Sequence, residues 1–121
     1  MSSTISPLGD PMPKTTLGEL EFLVLLAILR LGDSAYGVPI AREIDRRIGR
    51  DLSRATIYVT LQRMEEYGLV CSEMSEPRDA GGGRARRYYR VLDPGLELAR
   101  RSKAAYSTMW EGLAALEEST S

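Results

Sequence analysis

Arginine supplies most of the reactive chemistry in this chain, and histidine supplies none. Fourteen of the 16 basic residues are Arg, which suits bidentate contacts to phosphate or guanine. With no His among 121 residues, the usual general base and the commonest metal ligand are both missing. The single Cys71 cannot close an internal disulfide, and no Cys/His cluster exists to hold zinc. A role for Cys71 in an intersubunit redox disulfide is weaker than its reading as a small apolar residue at a strand start. No paired carboxylate or nucleophile constellation stands out, so neither an enzyme nor a metal sensor is expected, and no cofactor.

The stretch over residues 53–70, SRATIYVTLQRMEEYGLV, places these groups in an informative pattern. Ile57, Leu61 and Met64 fall at i, i+4 and i+7, one apolar stripe of a helix. Ala55, Thr56, Val59, Gln62 and Arg63 take roughly the opposite side, and Arg54 and Tyr58 flank the stripe near its start. Ser53 can cap the helix by accepting from the amide of Ala55 or Thr56. Gly68 can end it in the left-handed conformation. A buried face and an outer face of small, polar and basic groups suit a helix lying in the DNA major groove. An ordinary amphipathic surface helix is the alternative for this stretch alone.

Other elements must hold that helix. Residues 1–15, rich in Ser, Thr and Pro, read as a disordered or loosely docked arm. Thr16 opens a first helix over 16–31, with Thr16 and Glu19 forming a capping box. Its centre, Phe22 to Leu29, is apolar all round, so burial on more than one side is expected, against a second subunit or the last helix. A second helix over 38–48 carries Pro39 in its first turn and the stripe Ile40, Ile44 and Ile48. With the helix that follows it makes a helix-turn-helix pattern.

Strands over 69–75 and 85–92 flank a Gly- and Arg-rich loop, giving a β-hairpin wing. Arg78, Arg84, Arg86 and Arg87 on this wing suit the phosphate backbone. Tyr88 and Tyr89 point to opposite sheet faces, so one belongs to the core and the other is free to reach a phosphate. A last helix over 93–118 starts with Asp93 as N-cap and Pro94 at its first position. Ala99, Tyr106 and Leu113, with Ser102, Met109 and Leu116 three residues on, form an a/d seam suited to dimerisation. At ~1.5 Å per residue this helix would be about 35–40 Å long. Packing on its own domain alone is the other reading.

The fold expected is mainly α with a small β-hairpin. Residues 16–92 form a winged helix-turn-helix unit, and residues 93–121 a long dimerisation helix. The net charge is only −1, but residues 42–90 hold 11 Arg against 8 acidic residues, while the remainder is acidic. A nearly neutral protein can thus present one positive face. The apolar run at 22–29 is too short to span a bilayer, and the proline-broken N-terminus lacks a basic signal-peptide region. A cytoplasmic protein with no membrane partner is expected.

The order helix, helix, recognition helix, wing, long helix resembles the PadR family of bacterial transcriptional regulators, of the short-chain type. The resemblance rests on Tyr36-Gly37, on Thr56-Ile57-Tyr58 followed by Leu61-Gln62-Arg63-Met64-Glu65, on Gly68-Leu69-Val70, and on Arg87-Tyr88-Tyr89-Arg90-Val91. Ala55 stands where the family often has Gly, and Val59 where it often has Pro. The resemblance implies a homodimer that binds double-stranded DNA at a roughly palindromic operator, usually as a repressor, with the last helix dimerising. Its effector-responsive members place ligands near that interface.

The DNA-binding residues expected are Ser53, Arg54, Thr56, Tyr58, Val59, Gln62, Arg63, Arg84, Arg86 and Arg87. The dimerisation residues are Tyr106, Met109, Leu113 and Leu116. Tyr106 and Trp110 are candidates for a small aromatic or lipophilic effector, against the plainer reading of Trp110 as dimer packing. The competing function is a winged-helix protein-interaction module that never meets DNA, which would have little need for the wing arginines.

Overall fold

Helix α1 spans Glu19–Leu31, and it does not start where the Thr16–Glu19 pattern places it. Leu17 is buried in the core, and its amide donates to the Ser102 hydroxyl at 2.8 Å. Pulling Leu17 inward keeps the chain out of helical geometry until Gly18, which becomes the N-cap. Glu21, three residues on, reaches back to accept from the Gly18 amide at 2.9 Å. One half of the capping box survives, shifted by two residues, because Gly18 has no side chain to accept in return.

The computed structural model describes residues 15–76 and 85–117. A 3₁₀ turn at Gly32–Ser34 leads to α2 (Gly37–Ile48), then α3 (Arg54–Glu66), β1 (Val70–Met74), β2 (Arg87–Val91) and α4 (Asp93–Trp110). A second 3₁₀ turn covers Ala114–Leu116. This is a mainly helical winged helix-turn-helix with one small antiparallel hairpin and a C-terminal helix. Val24 and Leu25 of α1, Ile40 and Ile44 of α2, and Ile57, Leu61 and Met64 of α3 form its centre. Each of these stripes is the buried side of an amphipathic helix. The α2 stripe is one residue shorter than its periodicity suggests. Ile48, in the last turn before the left-handed Gly49, is 55% exposed. Helix α1 buries Val24, Leu25, Ala27 and Ile28 but leaves Leu26 and Leu29 exposed, so its second side is uncovered in the single chain.

The hairpin pairs Val70 with Val91 and Met74 with Arg87 in antiparallel register, inside the longer strands the composition suggested. Two backbone bonds fix its base, one to the segment before α2 and one between the hairpin's own flanks. The Tyr89 amide donates to the Ala35 carbonyl at 2.8 Å, and the Leu92 amide to the Leu69 carbonyl at 2.9 Å. Tyr89 is the core tyrosine, and burial pushes its phenol pKa up.

Helix α4 differs most from expectation. Leu92 is the N-cap, and Asp93 sits inside the first turn, where its charge complements the helix dipole. The helix ends at Trp110, and Gly112 follows with φ +78°. At 18 residues and ~1.5 Å each it is about 27 Å long. The heptad seam is therefore split. Ala99 and Ser102 are buried in their own domain, whereas Leu113 and Leu116 lie past the end of the helix. Ser102, fully buried, accepts from the Leu17 amide and donates to the Leu98 carbonyl at 2.8 Å. Ser102→Ala would leave the Leu17 amide buried without a partner. A loss of about 1–3 kcal/mol in unfolding free energy is expected, readable by urea denaturation. An unchanged midpoint would mean that the Leu17–Ser102 bond does not hold α4 to the body.

Candidate nucleic-acid interface

Helix α3 presents its outer face because its inner face is consumed by Ile57, Leu61 and Met64. Ser53 caps it: the hydroxyl oxygen accepts from the Thr56 amide at 3.1 Å and donates to the Thr56 hydroxyl at 2.9 Å. Thr60 is buried, with its hydroxyl donating to the Thr56 carbonyl at 2.8 Å. Ala55, Val59, Gln62 and Arg63 are all exposed and fall on one side. Thr56 lies half-buried at the border of that face. Chemically the face offers an amide, a guanidinium and small apolar groups. These can address adenine, guanine and the thymine methyl respectively.

Beside this face lies a cleft of about 510 Å³ between α2, the start of α3 and the base of the wing. Arg42, Arg54, Arg86 and Arg87 line it together with Tyr36 and Tyr58, and its described lining includes no carboxylate. The two tyrosines shape it. The phenol end of Tyr58 lies against Gly37, so close that a Cβ there would collide with its oxygen. Tyr36 meets the edge of Tyr88 at 5.2 Å between ring centroids, and the Arg86 guanidinium sits 4.5 Å over the Tyr36 ring. Arg87 donates to the Ser72 hydroxyl at 3.0 Å, which in turn donates to Glu65 at 2.8 Å. The wing is thus braced against α2 through aromatic contacts and against α3 through a polar chain.

Other arginines are spoken for. Glu43 accepts from Arg47 at 2.6 Å and from Arg46 at 2.7 Å. The Arg47 hydrogen bond, then that of Arg46, holds the Glu43 pKa below the usual carboxylate value. Arg50 is paired with Glu19, and Arg100 and Arg101 share Glu97. These five arginines thus have carboxylate partners, which the four lining the cleft lack among the described residues.

The anticipated DNA-binding residues fall into two neighbouring groups. Val59, Gln62 and Arg63, with Thr56 at the edge, occupy the α3 face; Arg54, Tyr58, Arg86 and Arg87 line the cleft; Ser53 sits at the α3 N-terminus. Arg84, with Arg78 and the glycines between them, lies outside the described residues. Tyr36 and Arg42 were not in the anticipated set. The Tyr36-Gly37 pair before a helix was the one available signal, and nothing in sequence joined it to the wing.

The dimerisation candidates Tyr106, Met109, Leu113 and Leu116 are all exposed. Tyr106 also tilts against Phe22 at 6.2 Å within the same chain. Trp110 is 52% exposed and stands at the last turn of α4. Cys71 is a half-buried free thiol. Among the described residues no group of His, Cys, Asp and Glu is arranged to hold a metal ion, and no helix is long and apolar enough to cross a membrane.

Comparison with known proteins bears directly on this geometry. The model of the "Transcriptional regulator PadR-like family" matches residues 25–101. A crystal structure of a PadR family transcriptional regulator from Eggerthella lenta DSM 2243 is 32% identical, covering 84% of this chain and 88% of that one, with a TM-score of 0.61. A PadR family transcription regulator from Clostridium difficile R20291 is 27% identical over 76% of this chain and 91% of its own, with a TM-score of 0.66. A PadR-like regulator from Bacillus cereus, 23% identical with a TM-score of 0.64, shares the fold. No curated protein matches the chain. The family match extends from α1 through the recognition helix and wing into α4, and the chain belongs to the PadR-like family of transcriptional regulators.

Proposed function

We propose that this regulator is a sequence-specific repressor that binds a roughly palindromic operator as a homodimer. The observation carrying this reading is the exposed polar face of α3 lying next to a cleft lined by four arginines and no described carboxylate. One face is suited to base edges and the other to phosphates, the two contact classes a specific DNA interface combines. In this reading residues 16–92 are the DNA-binding unit, residues 93–121 the dimerising part and residues 1–15 an arm, in a protein that works in the cytoplasm. Thr56, Val59, Gln62 and Arg63 choose the sequence. Ser53, Arg54, Tyr58, Arg84, Arg86 and Arg87 hold the backbone.

Gln62→Ala and Arg63→Ala are each expected to cost on the order of 1–3 kcal/mol on the selected operator and much less on random duplex. Binding selection from random sequence would supply the operator, and titrations on both duplexes would then check the assignment. Equal losses on the two DNAs would contradict it.

Homodimerisation draws on the exposed apolar groups at the end of the chain, Tyr106, Met109, Leu113 and Leu116. Tyr106 and Trp110, aromatic and exposed at the same end, suit a flat aromatic or lipophilic effector between subunits. Such a ligand would alter DNA binding only by favouring one dimer arrangement over another. Titrating aromatic compounds against Trp110 fluorescence and operator binding tests that role, and a Trp110 fully packed in the dimer would end it.

A further inference from the structure

Five arginines of the α2–α4 body carry named carboxylate partners, and the contrast within α2 is sharp. Arg46 and Arg47 both pair with Glu43, but Arg42, one turn earlier, is exposed with no ion pair or hydrogen bond among the described residues. Arg54, at the start of α3, is likewise exposed and unpaired among the described residues. Both line the cleft whose other side carries Arg86 and Arg87. Four positive groups around one concavity repel each other, and an anion seated among them relieves that repulsion. A volume of about 510 Å³ is far more than a lone ion fills.

We propose that Arg42 is a direct ligand of the DNA backbone, and that the cleft takes a phosphate of one strand between α2 on one side and the wing base on the other. This rests on the DNA-binding reading above and names a contact from outside both the recognition helix and the wing. Tyr36 is the positioning residue of the arrangement. Its ring holds the Arg86 guanidinium at 4.5 Å and the edge of Tyr88, so the wing-side wall keeps its distance from Arg42 before any ligand arrives. A phosphate bound there bridges α2 to the wing and sets how the recognition helix enters the groove. The contact carries no base information, so it acts on all sequences alike.

The test uses the full-length protein, an operator duplex and a random duplex, with affinity measured across a range of salt. Arg42→Ala is expected to weaken both duplexes equally, by about tenfold near physiological salt. The slope of log K against log salt should fall by about 0.9. Arg42→Lys should retain the slope, because it keeps the charge, and it guards against a folding defect in the alanine variant. Arg46→Ala, which removes the same unit of charge from α2 but from outside the cleft, should leave the slope unchanged. A slope unaltered by Arg42→Ala, while Arg63→Ala still weakens the operator selectively, would overturn the proposal and leave the DNA-binding reading intact. Wild-type protein that binds neither duplex would instead remove that reading. Thermal stabilisation by inorganic phosphate at constant ionic strength, lost in Arg42→Ala without any change in DNA slope, would assign the cleft to a free anion and overturn the backbone assignment.

Discussion

Met109→Glu combined with Leu113→Glu is expected to break the proposed homodimer into monomers and to lower operator affinity by about 10²-fold or more. The C-terminal end of the chain exposes Tyr106, Met109, Trp110, Leu113 and Leu116, with Met109 at 76%. Single exposed apolar groups need no explanation, but five large ones within eleven residues make a patch that water does not favour. Two glutamates in such a patch would each have to be desolvated on association, which opposes it strongly. A dimer on a two-half-site operator also gains by binding its second half-site intramolecularly, an advantage of about 10²–10⁴ that a monomer forfeits. Because neither side chain is buried in the single chain, its unfolding midpoint should scarcely move. Truncation would be less clean, since removing Tyr106 also uncovers Phe22. Sedimentation at micromolar concentration, alongside operator titration, reads the result. A double variant that remains dimeric would take dimerisation away from this segment.

Gly95→Ala is expected to destabilise the fold by about 1–3 kcal/mol, opposite to what helix propensity alone suggests. Gly95 lies in the first turn of α4, and in an unhindered helix the change to Ala gains roughly 0.5–1 kcal/mol. Here an added Cβ would run into the Leu69 carbonyl oxygen, which is backbone and cannot swing aside. That same oxygen accepts from the Leu92 amide at 2.9 Å, so moving it also strains the bond that joins the end of β2 to the start of β1. Overpacking penalties of ~1–3 kcal/mol therefore outweigh the propensity gain. Thermal and urea denaturation would measure the change, and a variant more stable than wild type would show that α4 can slide away from the hairpin without loss.

The recognition helix was legible almost in full. Its stripe, its Ser53 cap and its Gly68 stop all depend on neighbours within four residues, and side-chain periodicity reports such short-range geometry directly. The hairpin and the helix-turn-helix order were legible for the same reason. The helix expected over 93–118 overruns the observed end at Trp110, because a heptad count registers spacing and ignores what lies between. That count ran across Gly112, whose backbone takes φ +78°.

By itself, then, the sequence determined the identity of the elements, the apolar face of each helix and the absence of histidine chemistry, since all three follow from local residue order. Tertiary structure alone decided where α1 begins, because Leu17 is drawn out of the helix by Ser102, 85 residues away. It decided that Tyr89 enters the core and Tyr88 turns to Tyr36, because alternation along a strand marks two faces without saying which one meets the helices. It also decided which arginines share one surface. The pairing of Arg46 with Glu43 is an i,i+3 contact that helix spacing alone offers, whereas Arg42 meets Arg54, Arg86 and Arg87 around one cleft only because separate elements fold together. Charges far apart along the chain act on one another through their distance in space.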